Sequence, residues 1–250
     1  MNQAAANPMM KSLYLDFHTH ILPAIDDGSS SVDMSMQMLR QSVAQGVCGI
    51  VLTPHFYSHR DTIDRFLDRR RQALAQLTVR CRGRSPILLP GAEVYYFRDM
   101  AHVSELAQLR IHNTSLFLLE MPFKRWTDAM IDDVLQLQHT PGMSVVLAHI
   151  DRYLDDQPRG LFEMLADHGV MMQVNAEAFC NSAASGRVLN LFGEGMIRFL
   201  GSDCHNLTTR PPRMADAIEV LCTEFGTERV NAFARESMRC LLDARLPTGG

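Results

Sequence analysis

The chain has 250 residues, enough for one α/β barrel or two small domains with a sizeable buried core. Its 24 Lys and Arg against 28 Asp and Glu leave a net charge of −4 with no basic tail, which disfavours a nucleic-acid partner. Six cysteines without a Cys-x-x-Cys pair fit free buried thiols in a reducing cytoplasm, and no apolar stretch reaches the ~18 residues that direct membrane insertion requires. Residues 1–12 lack the basic start and apolar centre of a signal peptide and are expected to form a flexible tail, with 13–250 as a single domain.

The first apolar run, Leu13 to Phe17, opens a segment Asp16-Phe17-His18-Thr19-His20, and Asp26-Asp27-Gly28 follows shortly after. Two histidines one residue apart at a strand end share a side, which is the local geometry of a metal grip. Val32, Met36, Leu39 and Val43 then recur at helical spacing, and Val47 to Thr53 reads as a second strand. Ile63, Leu67, Leu74 and Leu77 mark another helix. Its Arg69-Arg70-Arg71, with Arg80, Arg82 and Arg84 beyond, reads as a solvated face and loop rather than an anion site. Further strands are predicted at Ile87 to Glu93, Leu116 to Glu120, Val145 to His149, Val170 to Asn175 and Ile197 to Ser202. Pro211 to Leu242 reads as two helices separated by Gly226, with Thr227 as the second N-cap. This alternation of β and α without a linker predicts one α/β domain.

Nearly every predicted strand ends in a ligand-type side chain: His18 and His20, His55, Glu93, Glu120, His149, Asn175, then Asp203 and His205. In a parallel barrel these ends open onto one mouth, so residues far apart in sequence can converge. The other five histidines (His59, His102, His112, His139 and His168) lie in loops or helices and read as ordinary residues. Imidazoles and carboxylates without thiolate suit Mn, Fe or catalytic Zn. Eight or nine donors exceed the needs of one ion; they imply two or three ions sharing a carboxylate, an arrangement suited to phosphate chemistry. Arg152 and Arg210 are candidate bidentate forks for phosphate. On spacing alone, a surface pair of Arg152 with Asp155 or Asp156 is an equal reading. Cys204 and Arg210 have the bare Cys-x5-Arg spacing of thiolate phosphatases, but the five residues between them include no glycine. Asp203 also precedes the cysteine and raises its pKa, so an inert thiol is the preferred reading.

Six stretches together resemble the PHP superfamily, and within it the bacterial CpsB/YwqE-type manganese-dependent protein-tyrosine phosphatases. They are Asp16 to Gly28, Thr53-Pro54-His55, Gly91-Ala92-Glu93, Leu118-Leu119-Glu120, Ala148 to Tyr153 and Gly201 to Asn206. The resemblance implies a distorted seven-stranded (β/α)7 TIM-like barrel with the metal site at the C-terminal strand ends. It places His18, His20, Glu93 and Asp203 around a first metal, with Glu93 bridging to a second held also by Glu120 and His149. Asp27, His55 and His205 match a third site, with Asp26 as the rival to Asp27. Arg152 and Arg210 match phosphate-holding, transition-state-stabilising residues, and Asp16 an outer residue that orients a ligand histidine.

The implied activity is hydrolysis of phosphotyrosine by a metal-bridging hydroxide, with Mn2+ as cofactor and Fe or Zn as alternatives. The implied partner is the tail of a bacterial tyrosine autokinase controlling capsule or exopolysaccharide synthesis. The competing reading is a PHP-type phosphatase of a small phosphomonoester such as histidinol phosphate. A silent binding protein is opposed by the complete ligand set. Ser29 to Asp33 departs from the helix start that some relatives use in ring assembly, so an oligomer is left open. Phe56, Tyr57, Tyr96, Phe97 and Trp126 fall in expected mouth loops and are read as packing rather than as contacts to a phosphotyrosine ring.

Overall fold

The computed structural model describes residues 14–81, 86–158, 160–180 and 185–246; Leu13, the expected tail, Arg82 and Arg84 lie outside the described residues. β1 (Tyr14–Thr19) leads to α1 (Val32–Ala44), β2 (Val47–Leu52), β3 (His55–Phe56) and α2 (Ile63–Arg80). Then come β4 (Ile87–Pro90), β5 (Glu93–Tyr95), β6 (Leu116–Glu120), α3 (Asp128–His139), β7 (Ser144–Leu147), α4 (Leu161–Asp167) and β8 (Met171–Asn175). α5 (Ala176–Cys180), α6 (Ser185–Gly193), β9 (Ile197–Gly201), α7 (Met214–Phe225) and α8 (Thr227–Asp243) complete the order.

Every strand pairing is parallel, in the orders β1-β2-β4 and β3-β5-β6-β7-β8-β9. β2 fills the expected strand Val47 to Thr53 to within its last residue, with the short β3 following it across Thr53-Pro54, whereas the expected strand Ile87 to Glu93 is interrupted at Gly91-Ala92, between β4 and β5. Pro54 has no N–H to give the ladder, yet its carbonyl accepts from Glu93 N at 3.1 Å, so the strand direction survives the break. The outer members of the order also meet. Thr19 bridges Cys204 in parallel, Asp203 N donates to His18 O (2.8 Å), and His20 N donates to Cys204 O (3.0 Å). The result is a distorted α/β ring of seven strand units.

Gly201 permits this closure, and Gly28 the tight loop that follows β1. A Cβ on Gly201 would stand 2.5 Å from the His18 Cβ, and one on Gly28 would stand 2.5 Å from the His20 Cβ, so only glycine lets these backbones approach the histidine pair. Apolar residues pack in two clusters. Leu15, Phe17, Val51, Leu116, Leu118, Val146, Ala148 and Phe199 meet inside the ring with Leu241 of α8, and Phe17 stacks on Phe199 at 3.8 Å. The larger cluster, including Ile50, Leu52, Val145, Leu147 and Val174, lies between strands and outer helices.

Side chains cap three of these helices: Ser31 accepts from Met34 N, Thr62 from Arg65 N and Thr127 from Met130 N, each cap contributing about 1 kcal/mol. For α8 the sequence expectation is corrected. Thr227 is its first helical residue, and the cap is Gly226, whose φ of 81° a side chain would resist. The arginine run of α2 is spent on structure. Arg69 holds Asp61 and Ile25 O, Arg70 donates to Gly91 O, Arg71 pairs with Asp68, and Arg80 pairs with Asp33. Among the described residues no helix is long and apolar enough to cross a membrane.

Candidate metal centre

Glu93 begins β5 immediately after the strand break, and its carboxylate is the hub of a buried cluster. Its Oε2 lies 3.2 Å from His18 Nε2, 3.3 Å from His20 Nε2 and 2.8 Å from His55 Nδ1, while Oε1 lies 2.9 Å from His149 Nε2. Asp203 Oδ1 is 3.7 Å from His18 Nε2 and 3.4 Å from His20 Nε2. Glu120, the last residue of β6, reaches within 3.6 Å of His149 Nε2 and 3.9 Å of His55 Nδ1. Asp27 Oδ1 stands 3.4 Å from His55 Nε2 and 3.5 Å from His205 Nε2. The structure thus brings all nine candidate ligands into one continuous cluster. Three groups within it have a metal-like convergence: His18, His20 and Asp203; His55, Glu93 and Glu120; and His20, Asp27, His55 and His205. His55 presents one ring nitrogen to Glu93 and the other to Asp27, so it borders two groups.

Hydrogen bonds on the far side of the rings decide which nitrogen faces the cluster. Gln173 Oε1 accepts from His18 Nδ1 (3.2 Å), Asp26 Oδ2 from His20 Nδ1 (2.7 Å), and the Asp203 carbonyl from His205 Nδ1 (2.9 Å). Each bond assigns a proton to Nδ1 and turns Nε2 toward the cluster, as a metal ligand requires. Asp26 also accepts from His55 N (3.1 Å) and Gly28 N (3.0 Å). The two adjacent aspartates therefore have different tasks: Asp26 fixes a ring, and Asp27, 67% exposed, offers its oxygen to the cluster. Gln173, which sequence reasoning missed, also takes His149 N (2.7 Å). Its signal was a lone amide inside the apolar run Met171–Asn175, two residues before Asn175.

Backbone strain accompanies two of these side chains. His149 (φ 32°) and Asp203 (φ 50°) have left-handed conformations, at a cost of about 1–3 kcal/mol each. Val146 and Ala148 face the inner cluster, so strict alternation would send His149 outward; the left-handed turn brings its ring back to Glu93.

The charges in this cluster are matched only in part. Burial works against ionising Glu93 and Asp203, yet His18, with His55 for Glu93 and His20 for Asp203, holds both well below the usual carboxylate range. Burial, and then Glu93, pushes Glu120 up to about 8. Burial, and then His20, pushes His205 down to about 4.

Two observations test whether metal fits. His18 Nε2 and His20 Nε2 stand 3.1 Å apart, both turned inward by the bonds at Nδ1, so two lone pairs or two protons facing each other there repel and one shared cation relieves the clash. Glu93 Oε2, Glu120 Oε2, His55 Nδ1 and His205 Nε2 are buried without a hydrogen-bond partner. Donor atoms ~2.1 Å from one transition-metal ion stand roughly 3–3.5 Å from each other, which is the spacing around Glu93. The donor set fits.

At the rim, Arg152 Nη2 (2.7 Å), Arg210 Nη2 (2.6 Å) and Asn175 Nδ2 (2.9 Å) all donate to Asp203 Oδ2. Arg152 is therefore not a surface partner of Asp155, which pairs with Arg187. Asp16 departs from expectation. The β1–β2 pairing shifts register between Asp16 and Thr19, and the Asp16 carboxylate accepts from Ser202 N (2.7 Å) rather than from a histidine ring, helping to join β1 to the end of β9. Gln173 and Asp26 orient the rings instead. Cys204 is buried in the larger apolar cluster, and burial followed by the charge of Asp16 pushes its thiol pKa up, away from a thiolate. Of the aromatic residues expected in mouth loops, Phe56 and Trp126 are buried, Tyr96 donates to Asp133 (2.6 Å), and Tyr57 packs on His55 and Tyr95.

Comparison with known proteins converges on one family. The chain is 30% identical over 247 residues to the tyrosine-protein phosphatase CpsB of Streptococcus agalactiae, covering 91% of this chain and 98% of that protein. It is 31% identical over 228 residues to the tyrosine-protein phosphatase YwqE of Bacillus subtilis, covering 86% of each. Its fold superposes with a TM-score of 0.79, at 26% identity and over 94% of this chain and 96% of the other, on a structure from the work describing YwqE of Bacillus subtilis and CpsB of Streptococcus pneumoniae as metal-dependent tyrosine phosphatases. With residues 14–243 matched by the model for capsular polysaccharide synthesis proteins of the CpsB/CapC type, the chain belongs to the CpsB/CapC family.

Proposed function

We propose that the chain is a metal-dependent protein-tyrosine phosphatase acting at the Glu93 cluster. The observation that carries this reading is the buried Glu93 carboxylate with imidazoles on both oxygens, joined through His18 and His20 to an Asp203 carboxylate that holds two guanidinium groups. The names of the aligned relatives support it. His18, His20, Glu93 and Asp203 would hold one ion, Glu93, Glu120 and His149 a second, and Asp27, His55 and His205 a third. Mn2+ is the proposed metal, with Fe or Zn as the alternatives for a donor set without thiolate. Bound divalent ions would supply a water acidic enough to be a nucleophile at neutral pH and would neutralise phosphate charge.

The chain's own residues do the rest. Arg152 and Arg210 each have five N–H donors, so they can hold Asp203 and still receive the non-bridging phosphate oxygens. The hydrogen bonds from Arg152, Arg210 and Asn175 fix Asp203 Oδ2, keeping Oδ1 toward His18 and His20. A phenol of pKa about 10 leaves with less protonation than a serine alkoxide, which favours tyrosine esters. We further assign residues 13–250 to one catalytic domain and the protein to the cytoplasm, with a tyrosine autokinase of capsule or exopolysaccharide synthesis as substrate. A side-by-side assay with Mn2+ tests the reading. Phosphotyrosine peptide is expected to exceed phosphoserine peptide, histidinol phosphate and a nucleotide by at least about tenfold in kcat/KM, a difference of ~1.4 kcal/mol. A preference for histidinol phosphate would replace it with the small-phosphomonoester reading.

A further inference from the structure

Phe123 is a large apolar side chain left 54% exposed at the mouth of the ring. The other exposed large hydrophobic residues among those described are Val43, Val79, Ile87 and Leu242, on α1, α2, the start of β4 and α8. Phe123 instead adjoins the cluster. Its ring lies 5.8 Å from His149 at 24° and 5.5 Å from Tyr153 at 28°, and the Arg152 guanidinium carbon is 6.0 Å from its centroid. The loop that presents it is pinned on both sides. Met121 N donates to Tyr153 Oη (3.1 Å), Lys124 N and Trp126 Nε1 to Pro122 O (2.8 and 3.1 Å), Trp126 N to Gln157 Oε1 (3.1 Å), and Gln157 Nε2 to Lys124 O (3.0 Å). An aromatic ring held at the surface by five hydrogen bonds is preorganised for a partner.

We propose that Phe123 receives the phenyl ring of phosphotyrosine, so that the site selects aryl over alkyl phosphates. The inference rests on the phosphotyrosine reading and names the residue that would enforce it. In a tyrosyl phosphate one oxygen separates phosphorus from the ring. A phosphate held by Arg152 therefore carries its phenyl group to the aromatic surface beside that guanidinium. Rings at centroid separations of roughly 4.5–7 Å attract beyond their area burial, and a flexible alkyl chain lacks that term.

The test is competition binding to Mn-loaded protein by benzylphosphonate, propylphosphonate and inorganic phosphate, none of which needs turnover; in the first, one carbon stands where the ester oxygen separates phosphorus from the phenyl ring. Native protein is expected to favour benzylphosphonate over propylphosphonate by about tenfold, the scale of one buried aromatic pair. Phe123→Ala is expected to reduce that ratio to about twofold or less and Phe123→Trp to restore it, with phosphate affinity and metal content unchanged. A ratio near one in the native protein, a ratio unchanged in Phe123→Ala, or a parallel fall in phosphate affinity would overturn the assignment, the last by marking a purely supporting role for the ring. Turnover of phosphotyrosine peptide is scored separately. If that turnover is lacking but the phenyl ratio persists and collapses in Phe123→Ala, the functional reading falls and the aryl site stands.

Discussion

Glu93→Gln is expected to lower the metal content by at least one ion per chain and phosphotyrosine turnover by about a thousandfold or more. Glutamine keeps the size of glutamate but loses the charge that serves His18, His20 and His55 through Oε2 and His149 through Oε1. No other described carboxylate lies among so many of the candidate ligands, so neighbouring groups cannot take over its task. Loss of several kcal/mol of charge stabilisation, ~4 kcal/mol, corresponds to about a thousandfold in rate. Elemental analysis beside initial rates separates the alternatives: a full metal complement in Glu93→Gln would remove the bridging role, whatever happens to the rate.

Arg210→Met and Arg152→Met are each expected to lower kcat/KM by roughly a hundred- to a thousandfold, the usual cost of removing one donor from a transition-state oxyanion. Lysine should rescue poorly, because a point charge does not reproduce a planar fork. Both guanidinium groups converge on Asp203 Oδ2, so the double variant should lose less than the product of the single losses. Additive losses with unchanged metal content would show the two arginines to be independent. Near-normal kcat/KM in either single variant would remove that arginine from phosphate binding.

Much of the fold was legible because its strands are apolar runs ending in polar residues. Leu116–Glu120 matches its expected span, and the helix pattern beginning at Val32 is α1. What was hidden depends on the third dimension. Val47 to Thr53 corresponds to the strand β2, but Ile87 to Glu93 read as unbroken, and in the structure the Gly91-Ala92 pair interrupts it, while Pro54 separates β2 from an unexpected β3, so that the strand order divides into two sheets. The family resemblance implied Asp16 as the residue orienting a ligand histidine, but its carboxylate accepts from Ser202 N, and Gln173, 155 positions from His18, takes the ring instead. Spacing could not separate Asp26 from Asp27, because both belong to the site with different partners. Phe123 had no periodic signal; its meaning comes from a loop pinned by Tyr153, Trp126 and Gln157.

The central claim is that bound metal at the Glu93 cluster, rather than a cysteine thiolate, carries phosphotyrosine hydrolysis. Phosphate release from phosphotyrosine peptide by chelator-stripped Cys204→Ser protein, titrated with Mn2+, tests it most directly. The buried Cys204 thiol, held in its protonated form, predicts activity within about threefold of the native protein, equivalent to ~0.7 kcal/mol. That activity should be absent without metal and saturate at two or three ions per chain. Activity that persists in excess chelator, or a metal-replete Cys204→Ser protein that releases no phosphate, would contradict the account.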